Sequence, residues 1–231
     1  MRSAMLLPQA AKILGKHIFG PQEWMFHFGY QLNSQELQES RTFPWDQDIL
    51  LSPCTFNKGM KVFQTHFAFW AKDEIPIGEN GSCHYLPWNI KNFSGLQDVD
   101  RGHFGNRNID FQNAQMLQMD SMREKCESRW YLVPLDTREH FVQKNFLEQL
   151  NVMPNEYSVS PAIVEIMSWI ICKKLSLPRN IENTCRCLIE PTVDDQITVC
   201  ADGRKTILVG LEPLTTRKPD LSLAVNRRQS Q

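Results

Sequence analysis

No stretch of this sequence approaches the roughly 18 consecutive apolar residues of a membrane-spanning helix, so no membrane partner is expected. There is no CxxC or HExxH pair, so the usual zinc frameworks are missing. No P-loop, GxGxxG or GxSxG occurs, and Gly102-His103-Phe104-Gly105 is too short to stand for any of them. A large charge of one sign is also lacking. The 25 Lys and Arg against 26 Asp and Glu leave a formal net charge of -1. A general polyanion binder needs several phosphate-neutralising cations on one face. The balance argues against that class, while a local patch of Arg101, Arg107 and Arg129 keeps a nucleic-acid-associated factor open.

What is present is an ordinary globular composition, 42% hydrophobic and 22% charged over 231 residues. That length can bury a sizeable core. The seven cysteines are odd in number, and the start, MRSAMLLPQAAKILGK, has only a brief apolar run broken by Pro8. Such a start does not match a secretory leader, and reduced thiols in the cytoplasm are the expectation. Cys185 and Cys187 would share a face of a strand and could meet Cys200. The spacing does not place a converging ligand pair on a turn, so neither metal nor cofactor is expected.

The stretch around which the chain is organised is Asp48 to Trp70, DILLSPCTFNKGMKVFQTHFAFW. The short apolar run Ile49–Leu51 stops at Ser52-Pro53. Asn57-Lys58-Gly59 is a turn signal, because glycine reaches positive φ without steric cost. The pattern beyond predicts a buried central strand over Lys61 to Trp70, with Phe63, Phe67 and Phe69 on one face. Three side chains here can do chemistry. Cys54 and His66 together suit a nucleophile and its base, and Lys58 suits a ligand contact. Cys54 and His66 each have a plainer reading: a small buried thiol and a hydrogen-bonded core histidine.

Toward the N-terminus, Leu6 to Leu14 has helical spacing, Pro21 suits the first turn of a second helix to Phe28, and Asn33 caps a third with Leu32 and Leu37 turned inward. A helix-turn-helix is poorly served by Gln22-Glu23-Trp24. Lys72 to Asp110 reads as turns and loops. Asp98–Asn108 within it brings Arg101, His103 and Arg107 together as a possible anion contact. Arg129–Leu135 reads as a strand, and Asp136-Thr137 as the cap of a helix to about Leu150. Ser160-Pro161 opens the clearest helix, apolar over much of its circumference, with Glu165 breaking that surface. That glutamate reaches solvent, pairs with a base, or serves a site. From Thr184 the alternation predicts a β-meander with a hairpin at Asp202-Gly203.

The blocks LLPQAAKILG, SPCTFNKGMKVFQTHFAF, CESRWYLVPL and EQLNVMPNEYSVSPAIVEIMSWIICKKL resemble those of a family of uncharacterised bacterial proteins whose central block runs SPC-x-F-x-K then THF. Thr55 stands where that family's block has proline. The resemblance implies one folding unit over the whole length and directs attention to Ser52, Pro53, Cys54, Lys58, Thr65 and His66; it carries no activity.

The expected architecture is a single α+β domain over 1–231, with possible sub-lobes 1–155 and 156–231. Short N-terminal helices and one central apolar helix at about 161–175 pack on mixed or antiparallel strands, followed by the C-terminal meander. The leading functional expectation is a non-enzymatic binding or interaction module for a protein or small-molecule ligand. The rival is a thiol- and histidine-dependent enzyme using Cys54 and His66.

Overall fold

The computed structural model describes residues 4–28, 32–71, 74–77, 84–87, 109–111, 127–177, 179, 184–187, 195–201 and 207–229. Within them the protein is α+β, with helices packed on mixed and antiparallel sheets. No helix among the described residues is long and apolar enough to cross a membrane.

Near the N-terminus β1 (Met5–Leu6) pairs antiparallel with β3 (Thr42–Phe43). The three-stranded sheet at the centre joins β2 (Ile18–Phe19), β4 (His66–Trp70) and β8 (Trp130–Pro134). β4 is its middle strand, parallel to β2 and antiparallel to β8, with His66 opposite Pro134 and Trp70 opposite Trp130. All five residues of β4 and all five of β8 are buried. Because side chains alternate along a strand, each strand feeds two cores. Phe67, Phe69, Tyr131 and Val133 share one core with Ile163, Ile166, Met167 and Ile171 of the Ala162–Lys174 helix. Ala68, Trp70, Trp130 and Leu132 pack under the N-terminal helices with Ala10, Leu14, Ile49, Leu50 and Val62. Trp24 adds a directional tie, its Nε1–H donating to the Trp70 carbonyl at 2.8 Å.

The same core takes in Cys185, Cys187, Ile197 and Val199, so the Ala162–Lys174 helix also packs on a five-stranded sheet. That sheet runs β13 (Leu221–Leu223), β10 (Thr184–Arg186), β11 (Asp195–Ala201), β12 (Ile207–Pro213), β7 (Ile109–Phe111). β10, β11 and β12 form the antiparallel part expected of a meander. β13 and β7 add to its two edges in parallel, so the sheet is mixed. The Asp202-Gly203 turn lies outside the described residues. A third cluster of Cys54, Phe56, Phe141, Phe146, Tyr157, Leu223 and Val225 forms where β9 (Tyr157–Val159) pairs antiparallel with β14 (Val225–Arg227).

Several sequence expectations are corrected. The strand expected from Lys61 begins only at His66, because Val62–Thr65 is a helical turn. Local polar groups outweigh the β-propensity there. The Gln64 amide oxygen accepts the Lys61 N–H at 2.8 Å, and the Thr65 hydroxyl bonds back to the Lys61 and Val62 carbonyls. The helix expected after Thr137 is two short ones, Arg138–Phe141 and Phe146–Val152. Gln143 at φ 57 breaks the run, and Asn145 caps the second piece through Glu148 N–H. The segment read as loop over 72–110 contains the antiparallel pair β5 (Glu74–Ile77) and β6 (His84–Pro87) and the start of β7. Leu37, expected inside, is 39% exposed, while Leu32 is buried.

Replacing Phe69, fully buried between the sheet and the long helix, by alanine should cost about 3–5 kcal/mol. Replacing the Asn145 cap by alanine should cost only about 1 kcal/mol. Urea unfolding midpoints of the two variants check that ranking.

Candidate functional site

Among the described residues, His66 and Glu165 each sit in a buried polar cluster. The first grows from the central stretch. Pro53 and Lys61 form an isolated antiparallel bridge. Cys54 N–H donates to Met60 O at 2.7 Å, and Gly59 at φ 81 turns the chain between them. A side chain at that φ would be strained, which is why glycine follows Asn57-Lys58. Lys58 sits exposed on the tip of this loop. Cys54 and Phe56 point inward and His66, at the head of β4, is fully buried.

His66 is held at both ring nitrogens. Nδ1 lies 2.9 Å from Thr65 Oγ1, and Nε2 lies 2.8 Å from the Tyr157 hydroxyl. The donors can be assigned by accounting for the protons. Thr65 donates its own proton to backbone carbonyls, so its oxygen accepts from Nδ1–H. That leaves the Nε2 lone pair to accept from Tyr157 O–H. The Tyr157 oxygen in turn accepts from an Arg227 N–H at 3.3 Å. The result is one directional chain, from guanidinium to phenol to imidazole to threonine to main chain. Arg227 lies directly opposite Tyr157 in the β9–β14 pair, with its Cζ 5.4 Å from the ring centroid.

Burial and then the Arg227 charge push the His66 imidazole down to about 3, against a smaller upward pull from the Val62 carbonyl. Burial likewise raises the Tyr157 phenol, although Arg227 works against it. Both groups therefore stay neutral at physiological pH. Phe56 closes the cluster edge-on to Tyr157, at 4.7 Å and 62°. Cys54 belongs to the same apolar cluster, and Asn57 Nδ2 reaches both Cys54 Sγ at 3.8 Å and the Asp136 carbonyl at 3.3 Å. The structure thus gathers Cys54 and His66 around Tyr157, and it gives His66 two hydroxyl partners.

The second cluster surrounds Glu165. On the Ala162–Lys174 helix its side chain is 1% exposed and pairs with Arg179, 7% exposed. Trp169 Nε1–H donates to the same carboxylate oxygen at 3.0 Å, and Arg179 also donates to Ser168 Oγ and lies over the Trp169 ring at 4.6 Å. Of the three fates open to this glutamate in the sequence, pairing with a base is the one observed. Burial acts to lower Arg179, but Glu165 and then the neighbouring Cys172 and Cys185 outweigh it, so its value is raised. The thiols respond in the opposite sense to a reactive site. Burial pushes Cys172 up to about 11, and burial with Glu165 raises Cys185 and Cys187 well above an ordinary thiol. Glu165, Trp169, Arg179 and Cys185 border a cavity of about 10 Å³ together with Asp136 and Thr137, room for about one water molecule. Among the described residues no group of three or more His, Cys, Asp or Glu is placed to hold a metal ion.

Arg101, His103 and Arg107 lie outside the described residues. Arg129 is taken up by Glu127 at 3.0 Å and stacks over Tyr131. Sequence reasoning missed Tyr157, Arg179 and Arg227. Tyr157 and Arg227 lie 91 and 70 residues from His66 and Tyr157, Arg179 lies 14 from Glu165, and no local pattern marks any of them. Comparison with protein-family models, curated proteins and solved structures returns no match for this chain.

Two outcomes are expected. Glu165→Gln or Arg179→Met alone should cost about 3–5 kcal/mol, because each strands a buried charge or donor, and the double variant Glu165→Leu/Arg179→Met should recover most of that loss on thermal or urea unfolding. His66 titrates near 6.5 unfolded and near 3 folded. Between those values the unfolded chain binds the extra proton, so the stabilisation is complete above about 6.5 and is lost as pH falls toward 3. At pH 5 the loss should be on the order of 2 kcal/mol relative to pH 7.5, and His66→Gln should lack this component.

Proposed function

We propose that this chain is a non-enzymatic binding or interaction module acting in the cytoplasm, with a protein or small-molecule ligand. The reading rests on His66. A general base must offer a lone pair to the group it deprotonates. In this fully buried imidazole the Nε2 lone pair is taken by the Tyr157 hydroxyl and Nδ1–H by Thr65. The central stretch then serves as a clamp between the helical turn, the central sheet and the β9–β14 ribbon, and it supports a binding surface. Exposed apolar side chains supply contact area of the kind such a module needs. Phe26 is 83% and Met25 48% exposed on the Pro21–Phe28 helix. The five described cysteines are all free, which favours a reducing compartment.

Cys54 alkylation separates this reading from the thiol-enzyme rival. With its thiol in the apolar cluster and only 6% exposed, Cys54 should react with iodoacetamide at pH 7.5 at least tenfold more slowly than in the unfolded chain. Peptide mass spectrometry reads the site. Alkylation faster than in the unfolded chain, and slowed by His66→Gln, would overturn the module in favour of a histidine-activated nucleophile.

A further inference from the structure

The Arg227 guanidinium is a cation drawn partly out of water and without an ion pair among the described residues. Its side chain is half-buried at the end of β14. No described carboxylate lies within 4 Å of it. Glu156, next to Tyr157, directs Oε1 to Thr55 Oγ1 at 2.9 Å instead. The following residue, Arg228, adds a second positive charge on the same strand end, its Nε–H donating to the Tyr157 carbonyl at 2.9 Å. Of the five N–H donors of the Arg227 fork, one has a described partner, the phenol oxygen of Tyr157. That phenol cannot supply the charge, since its own proton is committed to His66. Removing a cation from water without an anion beside it is costly, and a guanidinium with open donors matches an oxyanion in geometry as well as sign.

We propose that Arg227, anchored on the Tyr157 hydroxyl, is the recognition point for an oxyanion group, carboxylate or phosphate, on the ligand of this module. The proposal rests on the binding-module reading and names the chemistry that its ligand presents. The His66–Tyr157 pair orients the site. Tyr157 fixes one guanidinium N–H, and the remaining donors, which have no described partner, are the ones a bidentate acceptor would meet.

The test is a thermal-shift titration of the full chain at pH 7.5 and constant ionic strength, with chloride replaced stepwise by inorganic phosphate or by acetate. A saturable rise in Tm with phosphate, acetate or both is expected, and chloride alone gives none. Phosphate alone identifies a tetrahedral group and acetate alone a planar one. Arg227→Gln should weaken the apparent affinity at least tenfold, and Arg227→Lys, which keeps the charge but loses the fork, should weaken it less. Should Arg227→Gln fail to fold, ¹⁵N shifts of the wild-type Arg227 Nε and His66 ring on adding phosphate or acetate replace it. A Tm response unchanged by Arg227→Gln, or no movement of those resonances with either anion, overturns the site. Cys54 alkylation on the same sample keeps the two readings apart. Slow alkylation without an anion response removes the Arg227 site and leaves the module, whereas fast alkylation with an Arg227-dependent response removes the module and leaves the oxyanion position.

Discussion

The imidazole of His66 has to be neutral for this fold to close. It stands where the Val62–Thr65 turn becomes the central strand and where the β9–β14 ribbon comes in from the far end of the chain. A protonated ring there would have two donors and a positive charge beside Arg227, with no described carboxylate to receive it. A neutral ring with its proton on Nδ1 satisfies Thr65 on one side and accepts from Tyr157 on the other. The hydrogen bonds along this chain all run in one sense. Each member is therefore polarised by the next, which strengthens the set in a low-dielectric interior.

The same constraint organises the two cores. β4 can be buried on both faces because its neighbours on either side, β2 and β8, satisfy its main chain. That frees Phe67 and Phe69 to meet the long helix and Ala68 and Trp70 to meet the N-terminal helices. Glu165 and Arg179 set a second condition deeper in the molecule. Their pairing leaves the long helix charge-compensated where Glu165 breaks its apolar surface. Around them Cys172, Cys185 and Cys187 are kept protonated, which makes these thiols packing groups.

Much of the helical framework was legible because local signals carry it. Asn33 caps a helix with its side chain, Pro21 opens one, and Pro161 stands just before the start of the long one. The strands Trp130–Pro134 and Asp195–Ala201 follow from β-branched and aromatic content. The early part of the central stretch was not legible, because Gln64 and Thr65 redirect the chain through side-chain bonds that alternation does not register. The candidate site was legible only by half. His66 and Cys54 stand out locally, while Tyr157 and Arg227 are 91 and 70 residues from their partners and become visible only when β9 and β14 pair.

The clamp and the oxyanion position both turn on the protonation state of one ring. Two-bond ¹H–¹⁵N NMR spectra of ¹⁵N-histidine-labelled protein report tautomer and charge directly. His66 should remain the neutral Nδ1–H form from pH 7.5 to the lowest pH at which the chain stays folded. A resonance that titrates near 6.5, or the Nε2–H tautomer, would contradict the Arg227–Tyr157–His66–Thr65 chain on which the clamp and the oxyanion position both depend.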